Sequence, residues 1–201
     1  MFSDFPLLSL VIWLPIIGGL LVLAAGKNDV LVRWLALAFS SLTFLASLPL
    51  YTGFDSSTYQ MQFAESASWV PTFNIHYSLG IDGISMPLIL LTTFTTVLVV
   101  IASWEVIQRR VSQYMAAFLV MEGLMIGVFC ALDAVLFYVF WEFMLLPMFL
   151  IIGIWGGQRR VYAAIKFFLY TFLGSVLLLV AVLYLYFQSD SFSILDFHDL
   201  R

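Results

Sequence analysis

The sequence predicts an all-α fold, a polytopic membrane helix bundle with six transmembrane helices. Three observations predict it. The 201-residue chain is 63% hydrophobic and only 10% charged, with a mean hydropathy of +1.07, whereas soluble domains are nearer half apolar and a quarter charged. Six apolar runs approach or exceed the roughly 20 residues needed to cross a hydrocarbon core. Basic residues gather in alternate connections between these runs, the pattern the positive-inside rule gives a multi-pass protein.

The first run, 6–25, is followed by the small residues Ala24, Ala25 and Gly26, as a secretory signal is. It opens with Asp4 and no Lys or Arg, where a signal peptide needs a positive region, so a retained helix is expected. Pro15 and the Gly18-Gly19 pair are tolerable in it where neighbouring helices pack. A second helix is expected over 31–51. The polar segment 52–84 follows, with Asp55, Glu65 and Asp82 and no Lys or Arg. Within it Phe73, Ile75, Tyr77 and Leu79 alternate with Asn74, His76 and Ser78, the period of a half-exposed strand, and 59–63 is its expected hairpin partner. Further helices are expected over 85–104, 114–131, 134–154 and 163–187, and a polar tail ends the chain. The whole, 1–201, reads as a single transmembrane domain in the lipid bilayer.

Loop charge predicts orientation. The odd connections carry Lys27, Arg33, Arg109, Arg110, Arg159 and Arg160, the even ones carry no basic residue, and the tail holds only Arg201. The odd connections are therefore expected in the cytoplasm, and the N-terminus, segment 52–84 and the tail on the outer side. Several function classes are excluded. With Cys130 as its one cysteine, the chain has no intrachain disulfide and no cysteine set for zinc or iron–sulfur. His76 and His198 are far apart in polar segments. No glycine-rich phosphate loop and no basic stretch suited to nucleic acid is present.

Three ionisable residues fall inside expected spans: Glu122, Glu142 and Lys166. Such residues are costly at membrane depth and point to function. Glu142 lies in the run FYVFWEFMLLPMFLIIGIWGG, among Tyr138, Phe140, Trp141 and Phe143. Glu122 and Glu142 flank the tight turn at Leu132 at equal spacing, so both lie roughly 15 Å from the hairpin tip at 1.5 Å per residue. Spacing does not say whether they face each other. Pro147 cannot donate to the Phe143 carbonyl; it either loosens and wets the helix beside Glu142 or serves as a packing kink. A carboxyl at such a spot suits proton uptake and release. Glu122 reads either as a second such group or as a carboxyl hydrogen-bonded in a helix interface, beside the close-packing pair Gly123 and Gly127. Lys166, near the basic end of the sixth helix, either snorkels to the interface or forms one step of a water-linked relay.

The runs YSLGIDGISMPLILLTTF, LFYVFWEFMLLPMFLIIGIWGG and YAAIKFFLYTFLGS resemble subunit M (chain 4) of the proton-pumping NADH:quinone oxidoreductase, respiratory complex I, and the resemblance covers essentially the whole chain. The same superfamily includes subunits of multi-subunit cation/proton antiporters, the second reading, which share a fifth-helix glutamate. The resemblance implies an antiporter-like inverted-repeat fold and a place beside other antiporter-like subunits in the membrane arm. Proton translocation there is coupled to electron transfer from NADH to quinone. It implies a bacterial inner membrane location, with NAD, FMN, iron–sulfur clusters and quinone held in or at other subunits and no cofactor in this chain. Glu142 corresponds to the glutamate that controls the charge of a seventh-helix lysine, Lys166 to a sixth-helix lysine, and Glu122 to a glutamate of many bacterial members. That seventh-helix lysine, the eighth-helix relay and the second repeat have no counterpart here. The chain is thus expected to be an N-terminal piece that does not pump alone. A third reading, of another class, makes the charges only glue between helices.

Overall fold

Helices that face lipid on one side and protein on the other are apolar all round, so amphipathicity does not mark them and length does. Among the residues described by the computed structural model, 6–26 and 28–197, six helices are long and apolar enough to cross a membrane. Asp4, Lys27, His198 and Arg201 lie outside the described residues. The spanning helices are α1 (Leu7–Ala24), α2 (Asp29–Thr52), α3 (Ser85–Val106), α4 (Val111–Cys130), α5 (Ala134–Trp155) and α6 (Arg160–Ser189), and a single turn, α7 (Ile194–Phe197), follows. The chain is a multi-pass membrane protein. Helix α6 starts three residues before the expected run and ends two after it, at Asp190 in the left-handed conformation (φ 54°). Hydropathy marks where lipid stops; backbone hydrogen bonds continue into the interface.

Helices α1 and α4 form the centre, with α2 and α3 on one side and α5 and α6 on the other. Small residues set this core. A Cβ on Gly123 would strike the Ile12 carbonyl oxygen, and one on Gly19 would lie 3.0 Å from the Ala116 carbonyl oxygen, so α1 and α4 touch backbone to backbone. Gly127, four residues on, serves a different neighbour: the Phe140 ring of α5 lies 2.7 Å from where its Cβ would be. Between α2 and α3 the buried Ser47 and Thr93 hydroxyls are 3.0 Å apart. One donates to the other, and the acceptor of that bond donates its own proton to a carbonyl of its own helix, that of Phe44 for Ser47 or of Leu90 for Thr93, which satisfies polar groups that lipid would leave bare.

The polar segment folds as an antiparallel hairpin of β1 (Gln62–Val70) and β2 (Ile75–Ile81). The partner strand shares only Gln62 and Phe63 with the expected 59–63 and runs on to Val70, and Phe73 lies in the turn instead of the strand. Pro71 presets the turn and Asn74 accepts the left-handed conformation (φ 54°), so the chain reverses at once and pairs Val70 with Ile75. A pairing with 59–63 needs a long open loop, which costs closure entropy. The hairpin lies across the end of the bundle where the even connections emerge. The Leu132 N–H donates to the Ser78 carbonyl oxygen (2.9 Å), Ala134 to that of Phe192 (2.8 Å) and Ile194 to that of Leu132 (2.9 Å). Three distant stretches thereby form one strand-like plate.

Carboxylates on this plate cap the helices beneath it. Glu65 of β1 accepts from the N–H of Leu8 (2.7 Å) and Ser9 (3.2 Å) at the start of α1, and from the Ser9 hydroxyl. Asp133 accepts from Val135 (2.9 Å) and Leu136 (3.1 Å) at the start of α5, and through its other oxygen from His76 of β2 (3.0 Å). Asp82 accepts from Ile84 (3.0 Å) and Ser85 (2.7 Å) at the start of α3, while the Ser85 hydroxyl accepts from the Asp82 N–H. The Ser85 N–H above all holds the Asp82 carboxyl below the usual aspartate range. A lowered folded value means that this cap stabilises fully above the unfolded value, about 3.9, and is lost as pH falls through the folded one. Asp82→Asn is therefore expected to flatten the acid-side loss of thermal stability of the detergent-solubilised subunit. An unchanged acid slope would remove Asp82 from that loss.

Candidate functional site

Helix α5 brings Glu142 into the bundle. Its start is fixed by the Asp133 cap, and α6 packs antiparallel against it, with the Gly153 position 3.5 Å from the Ala164 methyl. At the depth of Glu142, α6 presents Ser175, which is buried. The Ser175 hydroxyl donates to Glu142 Oε1, and Tyr138, one turn earlier on α5, lies beside both. Glu142 itself is half-buried. A carboxyl paired with a hydroxyl finds a donor or an acceptor in either protonation state, since a hydroxyl is both.

The aromatic box expected around Glu142 does not form. Residues step about 100° around a helix, so sequence neighbours point apart. Phe140 turns to Gly127 of α4, Phe143 is 54% exposed on the outer face, and Trp141 stacks on Phe137 with centroids 6.1 Å apart. Of the four, Tyr138 alone shares the Glu142 face. Pro147 is buried in the next turn, and its missing N–H leaves the Phe143 carbonyl without its helix partner.

Glu122 lies on α4 next to Gly123, 1% exposed, and neither carboxyl oxygen has a hydrogen-bond partner among the described residues. A group so placed tolerates charge only with a partner or a water. No hydrogen bond joins it to Glu142. The Gly127–Phe140 contact keeps α4 and α5 in register, so the two carboxyls lie within about 5 Å of the same depth at the helical rise. Lys166 is brought to neither. It is exposed on α6, with Nζ 5.9 Å from the Tyr162 ring centroid, and two and a half turns, about 13 Å, separate it from Ser175. With Arg159 and Arg160 it lines an open groove of about 660 Å³ at the basic end.

Ser175 is the neighbour of Glu142 that reading along the chain missed. Its signal was available: counted outward from the Gly156-Gly157 turn, Glu142 and Ser175 reach similar depth on α5 and α6. Asp133 also had one, as an acceptor residue directly before an apolar run. Glu65 had none, because it caps a helix from far along the chain.

Residues 10–131, well over half of the chain, match the family model described as NADH-ubiquinone oxidoreductase chain 4, amino terminus. The chain belongs to that family. Residues 131–200 match the model described as NADH:quinone oxidoreductase/Mrp antiporter, transmembrane. Among relatives, NADH-quinone oxidoreductase subunit M of Rhodobacter capsulatus is 51% identical over 92% of this chain and 36% of its own length. NADH-ubiquinone oxidoreductase chain 4 of Arabidopsis thaliana is 47% identical over 92% and 38%. The chain thus spans little more than a third of the chain 4 relatives it matches. A chain in the structure of respiratory complex I from Thermus thermophilus with bound NADH superposes with a TM-score of 0.82 at 30% identity, over 96% of this chain and 39% of that one. A chain of the Mrp complex from Dietzia sp. DQ12-45-1b shares the fold alone, with a TM-score of 0.75 at 19% identity, over 93% and 20%.

Proposed function

We propose that the chain serves in the membrane arm of an NADH:quinone oxidoreductase, where it helps couple electron transfer from NADH to quinone to proton translocation. The observation that carries this is the Glu142–Ser175 pair at membrane depth, in a chain of the chain 4 family. Glu142 holds and releases a proton, Ser175 and Tyr138 orient its carboxyl, and Pro147 gives the helix local freedom. Glu122 is a second proton-holding group and Lys166 an entry group at the basic end. The redox groups (NAD, FMN, iron–sulfur clusters and quinone) belong in or at other subunits; a lone cysteine cannot hold a cluster. Partners are the other membrane-arm subunits, including neighbouring antiporter-like ones. The membrane is a bacterial inner membrane, and the N-terminus lies on its periplasmic side, an orientation supported by Arg33, Arg109, Arg110, Arg159 and Arg160 in or next to the odd connections and the positive-inside rule.

The second reading, a cation/proton antiporter subunit, is favoured by the Mrp likeness of residues 131–200. Affinity purification of the full-length subunit from its own membranes separates the two. Co-purification of NADH-oxidising subunits, with NADH-driven proton uptake that persists without sodium, is expected. Sodium/proton exchange without NADH, and no NADH-oxidising partner, would replace the proposal with the antiporter.

A further inference from the structure

A groove of about 500 Å³ runs between α1, α4 and α5 at the basic end of the bundle. Its mouth is formed by Arg110, Gln113 and Trp155, and its far end by Val120 and Leu146. From these we propose that the groove binds an acyl chain of an anionic phospholipid, whose phosphate sits on Arg110 and Gln113.

The dimensions fit one leaflet. From Arg110 to Val120 is about 15 Å along α4, half of a hydrocarbon core of about 30 Å. The floor is open because Ala116 and Ala117 are small and otherwise buried; branched residues there would fill it. The mouth is preformed, since the Trp155 ring N–H donates to the Arg109 carbonyl oxygen at 2.9 Å and the ring packs on Tyr114, with centroids 5.2 Å apart. Tryptophan is at home at this level of a bilayer.

Charge complementarity selects the head group. Among the described residues no carboxylate lines the groove, and Arg110 is the cation at its mouth. Arg110 takes the left-handed conformation (φ 54°, ψ 45°), uncommon for a residue with a Cβ. It begins α4 with no side-chain cap, so the first-turn N–H groups beside the mouth are open to an anionic oxygen. A purely apolar ligand has no use for these groups, and a free inorganic anion none for the apolar floor. An anionic amphiphile uses both.

The test uses the full-length subunit in its purified membrane complex. The complex is reconstituted in vesicles with trace phosphatidylglycerol or phosphatidylcholine, each carrying a photoactivatable diazirine at the acyl end. Phosphatidylglycerol is expected to label the α4 and α5 peptides around Val120 and Leu146 about fivefold more than phosphatidylcholine, the effect of one basic residue near an anionic lipid. Arg110→Gln is expected to erase that preference, and Ala117→Leu to block both lipids. If Ala117→Leu does not assemble, Arg110→Gln alone decides. Equal labelling by both lipids, a preference that survives Arg110→Gln, or no labelling by either because a protein neighbour covers the groove would each overturn the proposal.

Discussion

Glu142→Gln is expected to leave the full-length subunit assembled and to lower NADH:quinone turnover and NADH-driven proton uptake together, by on the order of a hundredfold, the lower range for a positioned proton-transfer group. Glutamine keeps the shape of the side chain and still accepts from the Ser175 hydroxyl, so packing survives and only the exchangeable proton is lost. Ser175→Ala tests the other half of the pair. It removes the donor and keeps the acid, and is expected to reduce both rates by a smaller factor. Coupling is read from the ratio of protons to electrons in sealed vesicles, and assembly from the amount of complex in the membrane. Near-normal rates in assembled Glu142→Gln complex would leave the carboxyl as a half-buried, satisfied acid between α5 and α6.

The second large effect is structural. Gly123→Val is expected to cost about 3 kcal/mol, the upper range for overpacking, and to lower the amount of assembled subunit several-fold. A Cβ at Gly123 meets the Ile12 backbone carbonyl and the Ile16 side chain. A carbonyl cannot move aside as a side-chain end can, so α1 must leave α4. Gly83→Ala is the control: a Cβ there meets nothing within 4 Å, and normal assembly is expected. Equal amounts of Gly123→Val and wild-type subunit in membranes would mean that the α1–α4 contact is not what holds the centre.

The membrane character of the fold and the segregation of its basic connections were legible in the sequence because both are written in composition along the chain, one residue at a time. What depends on two distant stretches was not. The strand over Ile75 to Leu79 shows in its alternation, but its partner was decided by Pro71 and Asn74, whose turn makes the nearest pairing win. At the candidate site, Glu142 stands out alone as an acid in an apolar run. Its surroundings do not, because Phe140, Trp141 and Phe143 leave it by rotation about the helix axis, and Ser175 arrives only when α6 folds back. Gly123 and Gly127 were visible as a close-packing pair; that they admit two different helices follows from the bundle and not from their spacing.

Helix α5 is strung like a bow. Its hairpin-side tip is tied through Asp133 to its own first turn and to His76 of the hairpin, and its other tip, at the basic end, through Trp155 to the Arg109 carbonyl oxygen. With both tips fixed, flexure at Pro147 cannot swing either end; it is taken up as sideways travel of the middle. The middle holds Glu142, and the limb it leans against holds Ser175. A bend at Pro147 is therefore expected to be felt first at that one hydrogen bond.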